Sequence, residues 1–227
     1  MNTEMEKKNS AYAALNYVKE GDVVGLGTGT TVKFFIERLA EEIGQGLSVR
    51  CVATSKNTEH MAKSLGIQVF DNVSKIDVDV DVDGADEIDG NGNMIKGGGG
   101  ALFREKIVAY NSRKVIIIAD STKLHPEGIG DFGIPVEVNP FLSQNTRYNL
   151  ERLGGICKFR DEGNFYTDNG NLILDCHFGI ISNPVHMEQN IKMIPGVVEV
   201  GIFTNLANTL LLGRESNIEV VNFNRKQ

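Results

Sequence analysis

The sequence contains no tryptophan, five prolines and three cysteines among its 227 residues. Three scattered cysteines exclude a disulfide framework and a C-x-x-C metal site, so we interpret Cys51, Cys157 and Cys176 as small buried hydrophobic residues. No apolar run approaches the roughly 18 residues that span a bilayer, and we expect no membrane partner. The first residues, M-N-T-E-M-E-K-K, lack the apolar segment of a secretion signal. We therefore expect a cytoplasmic protein.

Basic residues are also scarce, because 23 Lys and Arg stand against 30 Asp and Glu and give a net charge of −7. A nucleic-acid surface usually shows a basic stripe, so we expect no nucleic-acid partner. An anion bound by such an acidic protein must be held by local donors rather than by the overall field.

Apolar strands alternate with helices up to about residue 133. This pattern predicts an α/β domain with a Rossmann-like, mostly parallel sheet that is covered on both faces. The predicted strands span residues 23–27, 49–53, 68–70, 78–82 and 114–119. The predicted helices span residues 5–19, 30–43 and 57–65, and a further helix begins near residue 101.

From Ile134 the pattern becomes β-α-β-β-α-β, the order of a ferredoxin-like α+β domain. The predicted elements are strands at 134–139, 156–160, 171–177 and 197–203, with helices at 141–153 and 185–193. Segments 209–213 and 218–221 return to the first sheet. We therefore predict an α/β domain of residues 1–133 plus 204–227, with an inserted domain of residues 134–203. We expect the inserted domain to assemble subunits.

The first candidate motif is G-L-G-T-G-T-T, from Gly25 to Thr31, which joins a predicted buried strand to a predicted helix. At such a junction, backbone N–H groups and the helix dipole bind phosphate. The motif fails the Rossmann fingerprint, because Thr30 stands at its sixth position, and the chain contains no P-loop. Three hydroxyls in a glycine turn therefore favour a phosphomonoester over a dinucleotide. The alternative is an ordinary strand–helix turn with a threonine N-cap.

The second motif is D-V-D-V-D-V-D-G-A-D-E-I-D, from Asp77 to Asp89. Its spacing superficially resembles a calcium loop, but Gly90 stands where that loop needs a glutamate. The part V-D-V-D-V alternates like a strand, and we interpret its aspartates as a polar strand face or a sheet edge. Asp83 and Asp86 follow the predicted end of the strand, where α/β proteins bind ligands.

The third motif is K-G-G-G-G-A-L-F-R-E-K, from Lys96 to Lys106. Four successive glycines weaken regular structure, so we expect another molecule to approach this backbone closely. Bare N–H groups beside Lys96 can stabilise an oxyanion. The helix dipole would make Glu105 more acidic, so a useful base would need desolvation to raise its pKa. The alternative is that Glu105 pairs with a surface cation such as Arg104 or Arg113.

Together with I-I-A-D-S-T-K (residues 117–123), the three motifs closely resemble the A-type ribose-5-phosphate isomerases. The resemblance continues through P-V-E-V, L-G-G, T-D-N-G-N and I-P-G-V-V-E-V-G-I-F, and so covers nearly the whole chain. It departs at V-D-V-D-V, where we expect a more apolar approach to D-G-A-D-E. The resemblance implies a metal-free and cofactor-free aldose–ketose isomerase of the non-oxidative pentose phosphate pathway. Its reaction would interconvert D-ribose 5-phosphate and D-ribulose 5-phosphate through an enediolate.

The resemblance also implies roles for the matching residues. Glu105 would be the base, Lys96 would help to stabilise the enediolate, and Asp83 or Asp86 would move the ring-opening proton. The further substrate contacts would be Thr28, Gly29, Thr30, Thr31, Gly84, Ala85, Gly97, Gly98, Gly99 and Lys123. Weaker phosphate candidates are Lys7, Thr54 and Ser55. The glycines would leave room for the reacting end of the sugar, and the assembly would be a homodimer or a tetramer.

Two alternatives compete with this interpretation. A related enzyme such as an amino-sugar phosphate deaminase or a phosphogluconolactonase would be expected to use a histidine near the site. None of the four histidines lies inside the three motifs. A non-catalytic sugar-phosphate sensor would have lost the acid–base residues, whereas all of them are present here.

Overall fold

In the computed structural model, the described residues are 2–70 and 75–224. Their helices are α1 (Thr3–Ala14), α2 (Thr30–Gly44), α3 (Lys56–Ser64), α4 (Leu102–Tyr110), α5 (Ser143–Glu151) and α6 (Pro184–Lys192). Their strands are β1 (Val23–Leu26), β2 (Arg50–Ala53), β3 (Val78–Asp83), β4 (Glu87–Ile88), β5 (Met94–Ile95), β6 (Ser112–Asp120), β7 (Ile134–Val138), β8 (Ile156–Phe159), β9 (Leu172–His177), β10 (Val197–Val200), β11 (Ile202–Phe203), β12 (Thr209–Gly213) and β13 (Ile218–Asn222). Short 3₁₀ helices span Leu15–Tyr17, Ser121–Lys123 and Arg160–Gly163. No helix within the described ranges combines the length and apolar character that crossing a bilayer requires.

The chain forms two compact units. The first comprises Met1–Ala85, Arg104–Leu124 and Leu206–Gln227, and the second comprises Asp86–Phe103 and His125–Asn205. The predicted domain boundary at residues 133 and 134 does not coincide with these units, since the segment 86–103 groups with the second one. The reason is that β4 and β5 form a sheet with β11.

The first unit contains a six-stranded sheet in the order β13-β12-β6-β3-β1-β2. Neighbouring strands run parallel, except that β13 pairs antiparallel with β12. The predicted mostly parallel sheet is thereby confirmed. The isoleucines of the run V-I-I-I-A-D in β6 are at most 1% exposed, as expected for a strand that is covered on both faces.

The two faces of this sheet carry different helices. Phe35 of α2 is fully buried in one cluster with Val24 of β1, and α1 and α3 contribute to the same cluster. On the opposite face, Val23 and Val78 cluster with Val108 of α4. The carboxyl ends of the parallel strands meet at one edge. The predicted site segments that directly follow β1, β3 and β6 therefore begin at that edge.

The second unit contains an antiparallel sheet in the order β10-β7-β9-β8. With α5 and α6 the chain order is β-α-β-β-α-β, so the predicted ferredoxin-like arrangement is confirmed. Its core joins Val136 and Leu174 of the strands to Leu150 of α5 and Ile191 of α6, all fully buried. The separate three-stranded sheet β11-β5-β4 belongs to the same unit.

Some predicted strands differ in detail from the structure. Residues 197–203 form two strands in different sheets, which separate at Gly201, where a Cβ would lie 2.5 Å from the carbonyl oxygen of Lys96. Residues 68–70 form a single bridge between Val69 and Cys51 rather than a strand. The β4–β5 hairpin was not predicted, because strands of two residues are too short to show periodicity.

The aspartate-rich strand β3 lies between β1 and β6, so the sheet-edge interpretation is wrong. Because these residues form a strand, they are not a calcium loop either. Asp81 is fully buried, and its register partner on β1 is Gly25, where a Cβ would lie 2.5 Å from Asp81 Oδ1. Asp79 accepts a hydrogen bond from the Val23 N–H and pairs with Arg113 at 3.0 Å. A glycine on one strand thus leaves room for a buried carboxylate on the next.

The cysteine interpretation needs a correction. All three cysteines are buried, but Cys157 and Cys176 are joined by a disulfide rather than being independent hydrophobic residues. The two residues are register partners on β8 and β9, which brings their side chains together. Cys51 is a free thiol, and burial raises its pKa to about 12.

Candidate active site

The turn after β1 is held from inside by a cluster of hydroxyl groups. Thr28 Oγ1 lies 2.8 Å from Thr54 Oγ1 and 3.0 Å from Ser55 Oγ. Thr58 Oγ1 lies 3.2 Å from Thr28 Oγ1 and donates to the carbonyl oxygen of Gly27 at 2.9 Å. The Thr28 hydroxyl is therefore engaged by the protein interior. Thr54 and Ser55 are buried supports behind the turn.

The N-terminus of α2 follows this turn. Its N-cap is Gly29, which offers no side-chain hydrogen bond, so the threonine N-cap alternative is wrong. The φ angle of Gly29 is 135°, in the region that favours glycine. Thr30 is exposed and Thr31 half-buried, and Lys7 Nζ of α1 donates to Thr30 Oγ1 at 3.1 Å. First-turn N–H groups, hydroxyls and a cation thus lie together, and this is a donor set suited to an anion.

Asp83, at the end of β3, supports the same turn. Its carboxylate is buried, and Oδ1 accepts hydrogen bonds from the N–H groups of Thr28 at 3.1 Å and Gly84 at 2.7 Å. A Cβ at Gly27 would collide with this carboxylate, so the close approach requires glycine. The structure therefore brings Thr28 and Asp83 together. The half-buried residues Gly84 and Ala85 follow directly.

Glu105 lies in the first turn of α4 and is 3% exposed. It is therefore not a surface residue, and Arg113, one proposed surface partner, pairs with Asp79 instead. Val108, one turn later on the same helix, packs against the sheet, so the face that carries Glu105 is turned inward. Burial supplies the desolvation expected of a base, while the helix N-terminus favours its anionic form.

Lys123 ends the 3₁₀ helix that follows β6 and is half-buried. This turn is anchored by Glu6 of α1, whose Oε2 accepts hydrogen bonds from Ser121 N–H at 2.9 Å and Ser121 Oγ at 2.6 Å. Helix α1 thus supports two turns. Glu6 supports the turn that contains Lys123, and Lys7 supports the threonine turn, Gly25–Thr31. Glu6 could not be recognised from the sequence, because its partner lies 115 residues away.

In the second unit, Lys96 follows β5 and is 3% exposed. Its Nζ lies 5.5 Å from the centroid of the Phe203 ring. Asp86 precedes β4, and its Oδ2 accepts a hydrogen bond from the Gly98 N–H at 2.7 Å. Asp86 therefore contacts the glycine loop, Lys96–Gly100, which is exposed at Gly98 and Gly99.

Three of the four glycines are needed by the loop itself. The φ angles of Gly97 and Gly100 are 103° and 80°, which favour glycine. A Cβ at Gly98 would lie 2.6 Å from Asp86 Oδ1, and one at Gly100 would overlap the Phe165 ring. Close packing within the protein therefore explains these positions. Room for the reacting end of a sugar stays a prediction.

One group of possible metal ligands occurs among residues 2–70 and 75–224. Single ligand atoms of Glu87, His125 and Asp131 lie within 4.8 Å of one another. Both Glu87 carboxylate oxygens already accept backbone hydrogen bonds, from Gly130 at 2.6 Å and Phe132 at 2.5 Å. Glu87 thereby anchors a turn, and none of the predicted site residues belongs to this group.

The family model of ribose 5-phosphate isomerase A (phosphoriboisomerase A) matches residues 50–217 of this chain. That range contains Asp83, Asp86, Lys96 and Glu105. The chain belongs to this family. The resemblance inferred from the motifs is thereby confirmed.

Individual isomerases are similar to the chain in sequence and structure over nearly its full length. The ribose-5-phosphate isomerase A of Picrophilus torridus is 47% identical over 218 residues, which are 96% of this chain and 98% of that protein. A D-ribose-5-phosphate isomerase solved in complex with phospho-erythronic acid has a TM-score of 0.94 at 35% identity, covering 98% of this chain and 100% of that one. The Plasmodium falciparum isomerase has a TM-score of 0.91 at 37% identity, covering 96% and 97%.

Proposed function

We propose that this chain is an aldose–ketose isomerase that interconverts D-ribose 5-phosphate and D-ribulose 5-phosphate in the non-oxidative pentose phosphate pathway. The chain belongs to this family, and one combination of features supports the proposal. The N-terminus of α2, after the turn Gly25–Thr31, has no side-chain cap, and the carboxylate of Glu105 is buried. The first feature suits a phosphomonoester, and the second suits proton transfer beside a carbonyl.

The phosphate is bound by the first turn of α2. Its ligands are the backbone N–H groups of Gly29, Thr30 and Thr31, with the hydroxyls of Thr30 and Thr31. The Thr28 hydroxyl lies in the buried hydroxyl cluster with Thr54, and the Thr28 N–H donates to Asp83, so Thr28 shapes the turn and does not donate to the phosphate. Lys7, already bonded to Thr30, adds positive charge, and Lys123 closes on the substrate.

The isomerisation uses Glu105 as the base. Glu105 takes the proton from C2 of the open-chain aldose and returns it to C1, while the hydroxyl proton of C2 moves to the oxygen of C1. Negative charge develops on oxygen in the enediolate between these steps. The Lys96 ammonium and the N–H groups of Gly97 and Gly99 stabilise it, since the Gly98 N–H is donated to Asp86. Removal of one such donor typically costs about 2.7–4 kcal/mol of transition-state stabilisation.

Ring opening of ribose 5-phosphate precedes this step and is assigned to Asp83 or Asp86. Ribulose 5-phosphate has no free C5 hydroxyl and stays open-chain, which separates ring opening from isomerisation. We expect the Asp→Asn variant of the ring-opening residue to slow the initial conversion of ribose 5-phosphate more than that of ribulose 5-phosphate. Equal losses in both directions for both variants would contradict a ring-opening role.

The first test is turnover of ribose 5-phosphate by the purified chain with excess EDTA and no added nucleotide, with unphosphorylated ribose assayed beside it. Rapid conversion of the phosphate ester alone is the expected result. Binding of the ester without turnover would favour the sensor alternative. Neither binding nor turnover would contradict the proposed substrate.

Phospho-erythronic acid offers a second test. Its carboxylate places negative charge where the enediolate would carry it, so we expect competitive inhibition against ribose 5-phosphate. Lys96→Met should weaken this inhibition more than it weakens binding of the substrate. Absence of inhibition would contradict the proposed charge at the reacting end.

We also propose that the chain forms a homodimer or a tetramer in the cytoplasm, where phosphorylated sugars are retained. The second unit exposes the large apolar side chains of Phe141, Tyr148, Ile156 and Met193 around α5, β8 and α6. Such side chains mark protein interfaces when they form a continuous patch. Sedimentation of a monomer at micromolar concentration would contradict this assembly.

A further inference from the structure

Arg160, the first residue of the 3₁₀ helix after β8, contacts the carbonyl side of the glycine loop. Its Nη1 donates to the carbonyl oxygens of Gly97 at 3.0 Å and Gly98 at 3.1 Å. Its side chain is 16% exposed. A largely buried guanidinium therefore holds two successive peptide groups of the loop that contains the proposed enediolate donors.

The guanidinium is itself fixed in direction. Its Nε donates to Asp175 Oδ2 at 3.0 Å, and its Nη2 donates to Asp175 Oδ1 at 2.5 Å. A planar bidentate pair of this kind defines orientation, which a lysine at this position would not reproduce. The Phe165 ring lies 5.5 Å from the guanidinium and occupies the space that a side chain at Gly100 would need. Asp175 and Phe165 thus set the position of Arg160 beside the loop.

The backbone directly after Arg160 is strained. Asp161 and Glu162 have φ angles of 47° and 53°, in the left-handed region that non-glycine residues rarely adopt. Such a backbone conformation is unfavourable for a non-glycine residue and persists only where the surroundings over-determine it. The bonds of Arg160 to Asp175 and to the loop supply such surroundings.

Peptide planarity connects these contacts to the proposed chemistry. In a trans peptide, the N–H points opposite to the carbonyl of the preceding residue. A hydrogen bond that fixes the Gly98 carbonyl therefore also fixes the direction of the Gly99 N–H. A bond to the Gly97 carbonyl likewise fixes the Gly98 N–H, which donates to Asp86 at 2.7 Å.

We propose that Arg160, oriented by Asp175, is a positioning residue that aims the N–H groups of the glycine loop and fixes Asp86. The inference rests on the proposed isomerase function for its catalytic consequence. It gives the ferredoxin-like domain a part in the reaction besides assembly.

The kinetic test compares Arg160→Ala with a matched control, Lys192→Ala. Lys192 lies in the same unit and also pairs with a carboxylate, Glu199 at 2.8 Å, and with a backbone carbonyl, Val198 at 2.5 Å. Loss of loop alignment should lower the kcat of Arg160→Ala by about tenfold to hundredfold and leave KM within about threefold. Lys192→Ala should keep wild-type kcat. Added guanidinium should restore part of the lost kcat in Arg160→Ala and none in Lys192→Ala.

The second test needs no turnover. Hydrogen exchange at the amides of residues 97–100 should become faster in Arg160→Ala and, to a smaller degree, in Asp175→Asn. Exchange elsewhere in the chain, and everywhere in Lys192→Ala, should stay at the wild-type rate. If Arg160→Ala fails to fold, Arg160→Lys replaces it in both tests.

The outcomes separate this inference from the proposed function. A wild-type chain without isomerase activity would contradict the function, while the exchange comparison would still decide whether Arg160 orders the loop. Wild-type kcat in folded Arg160→Ala and Asp175→Asn, or unchanged exchange at residues 97–100, would overturn the positioning role.

Discussion

The threonine turn of the first unit, Gly25–Thr31, and the glycine loop of the second unit, Lys96–Gly100, are held in different ways. The turn is supported by buried hydroxyls and by Asp83 at the end of a strand adjacent to β1. The loop is supported by Asp86, 12 residues before Gly98, and by Arg160, 62 residues after it. In the proposed reaction, the turn binds a phosphate that does not change, and the loop serves atoms that do. Variants of the turn should therefore alter mainly KM, and variants at the reacting end mainly kcat.

The largest expected effect is that of Glu105→Gln. Removal of a positioned general base should lower kcat by about 10²–10⁴-fold. The Kd for ribose 5-phosphate, measured by calorimetry, should stay within a few-fold, because the phosphate ligands are intact. Glu41→Gln, on the exposed face of α2, is the control and should behave like the wild type. Turnover by Glu105→Gln at a rate close to that of the wild type would contradict the assignment of Glu105 as the base.

Lys96→Met should have the next largest effect. Loss of one enediolate donor should lower kcat by about 10²–10³-fold with little change in KM. Steady-state kinetics measure both values, and Lys192→Met is a control in the same unit. A rise in KM at unchanged kcat would mean that the loop binds the ground state, which would break the comparison between the two regions.

Thr31→Ala should affect the phosphate-binding threonine turn, and therefore KM rather than kcat. A hydrogen bond to a charged group contributes about 1.5–3 kcal/mol, so KM should rise by roughly tenfold or more. The kcat should stay unchanged if the bond is equal in the ground and transition states. Thr28→Val sharpens the test, because its hydroxyl supports the inner cluster, and its loss should lower the free energy of unfolding instead. A large loss of kcat in Thr31→Ala would contradict the assignment.

Glu162→Gly should have the smallest effect. Glycine adopts the left-handed backbone of this position without the cost of about 1–2 kcal/mol that an L-residue carries, but it loses more entropy on folding. The free energy of unfolding, from urea denaturation, should therefore rise by up to about 1 kcal/mol, with kcat unchanged. A decrease would mean that the segment after Arg160 is not strained.

The elements of this fold could be predicted from the sequence where the residues of a single element show a clear hydrophobic pattern. The isoleucines of β6 and the alternating valines of β3 predicted those strands, and the β-α-β-β-α-β order predicted the ferredoxin-like arrangement within the second unit. The split at Gly201 was not predictable, because it depends on the approach of the Lys96 carbonyl from another segment. Burial of Asp81 was missed because it depends on Gly25 across the strand pair.

The candidate site residues could be selected from the sequence because each stands in a motif next to a glycine or at a strand end, and their roles stay predictions. Their supports could not be selected, since Glu6 reaches Ser121 across 115 residues and Arg160 reaches Gly97 across 63. A charged residue that forms a remote contact looks like any surface charge in the sequence. The same reason explains the missed pair of Cys157 and Cys176, which only the strand register brings together.

The most direct single measurement is deuterium incorporation during conversion of ribose 5-phosphate in D₂O, followed by NMR. The proton that Glu105 carries can exchange with solvent before it is returned, so repeated interconversion at equilibrium predicts that deuterium accumulates at C1 of ribulose 5-phosphate with the wild-type chain. Glu105→Gln should give none above background at matched times. Ribulose 5-phosphate that stays free of deuterium at C1 after many turnovers of the wild-type chain, or equal incorporation by Glu105→Gln, would contradict proton transfer through Glu105 and an enediolate.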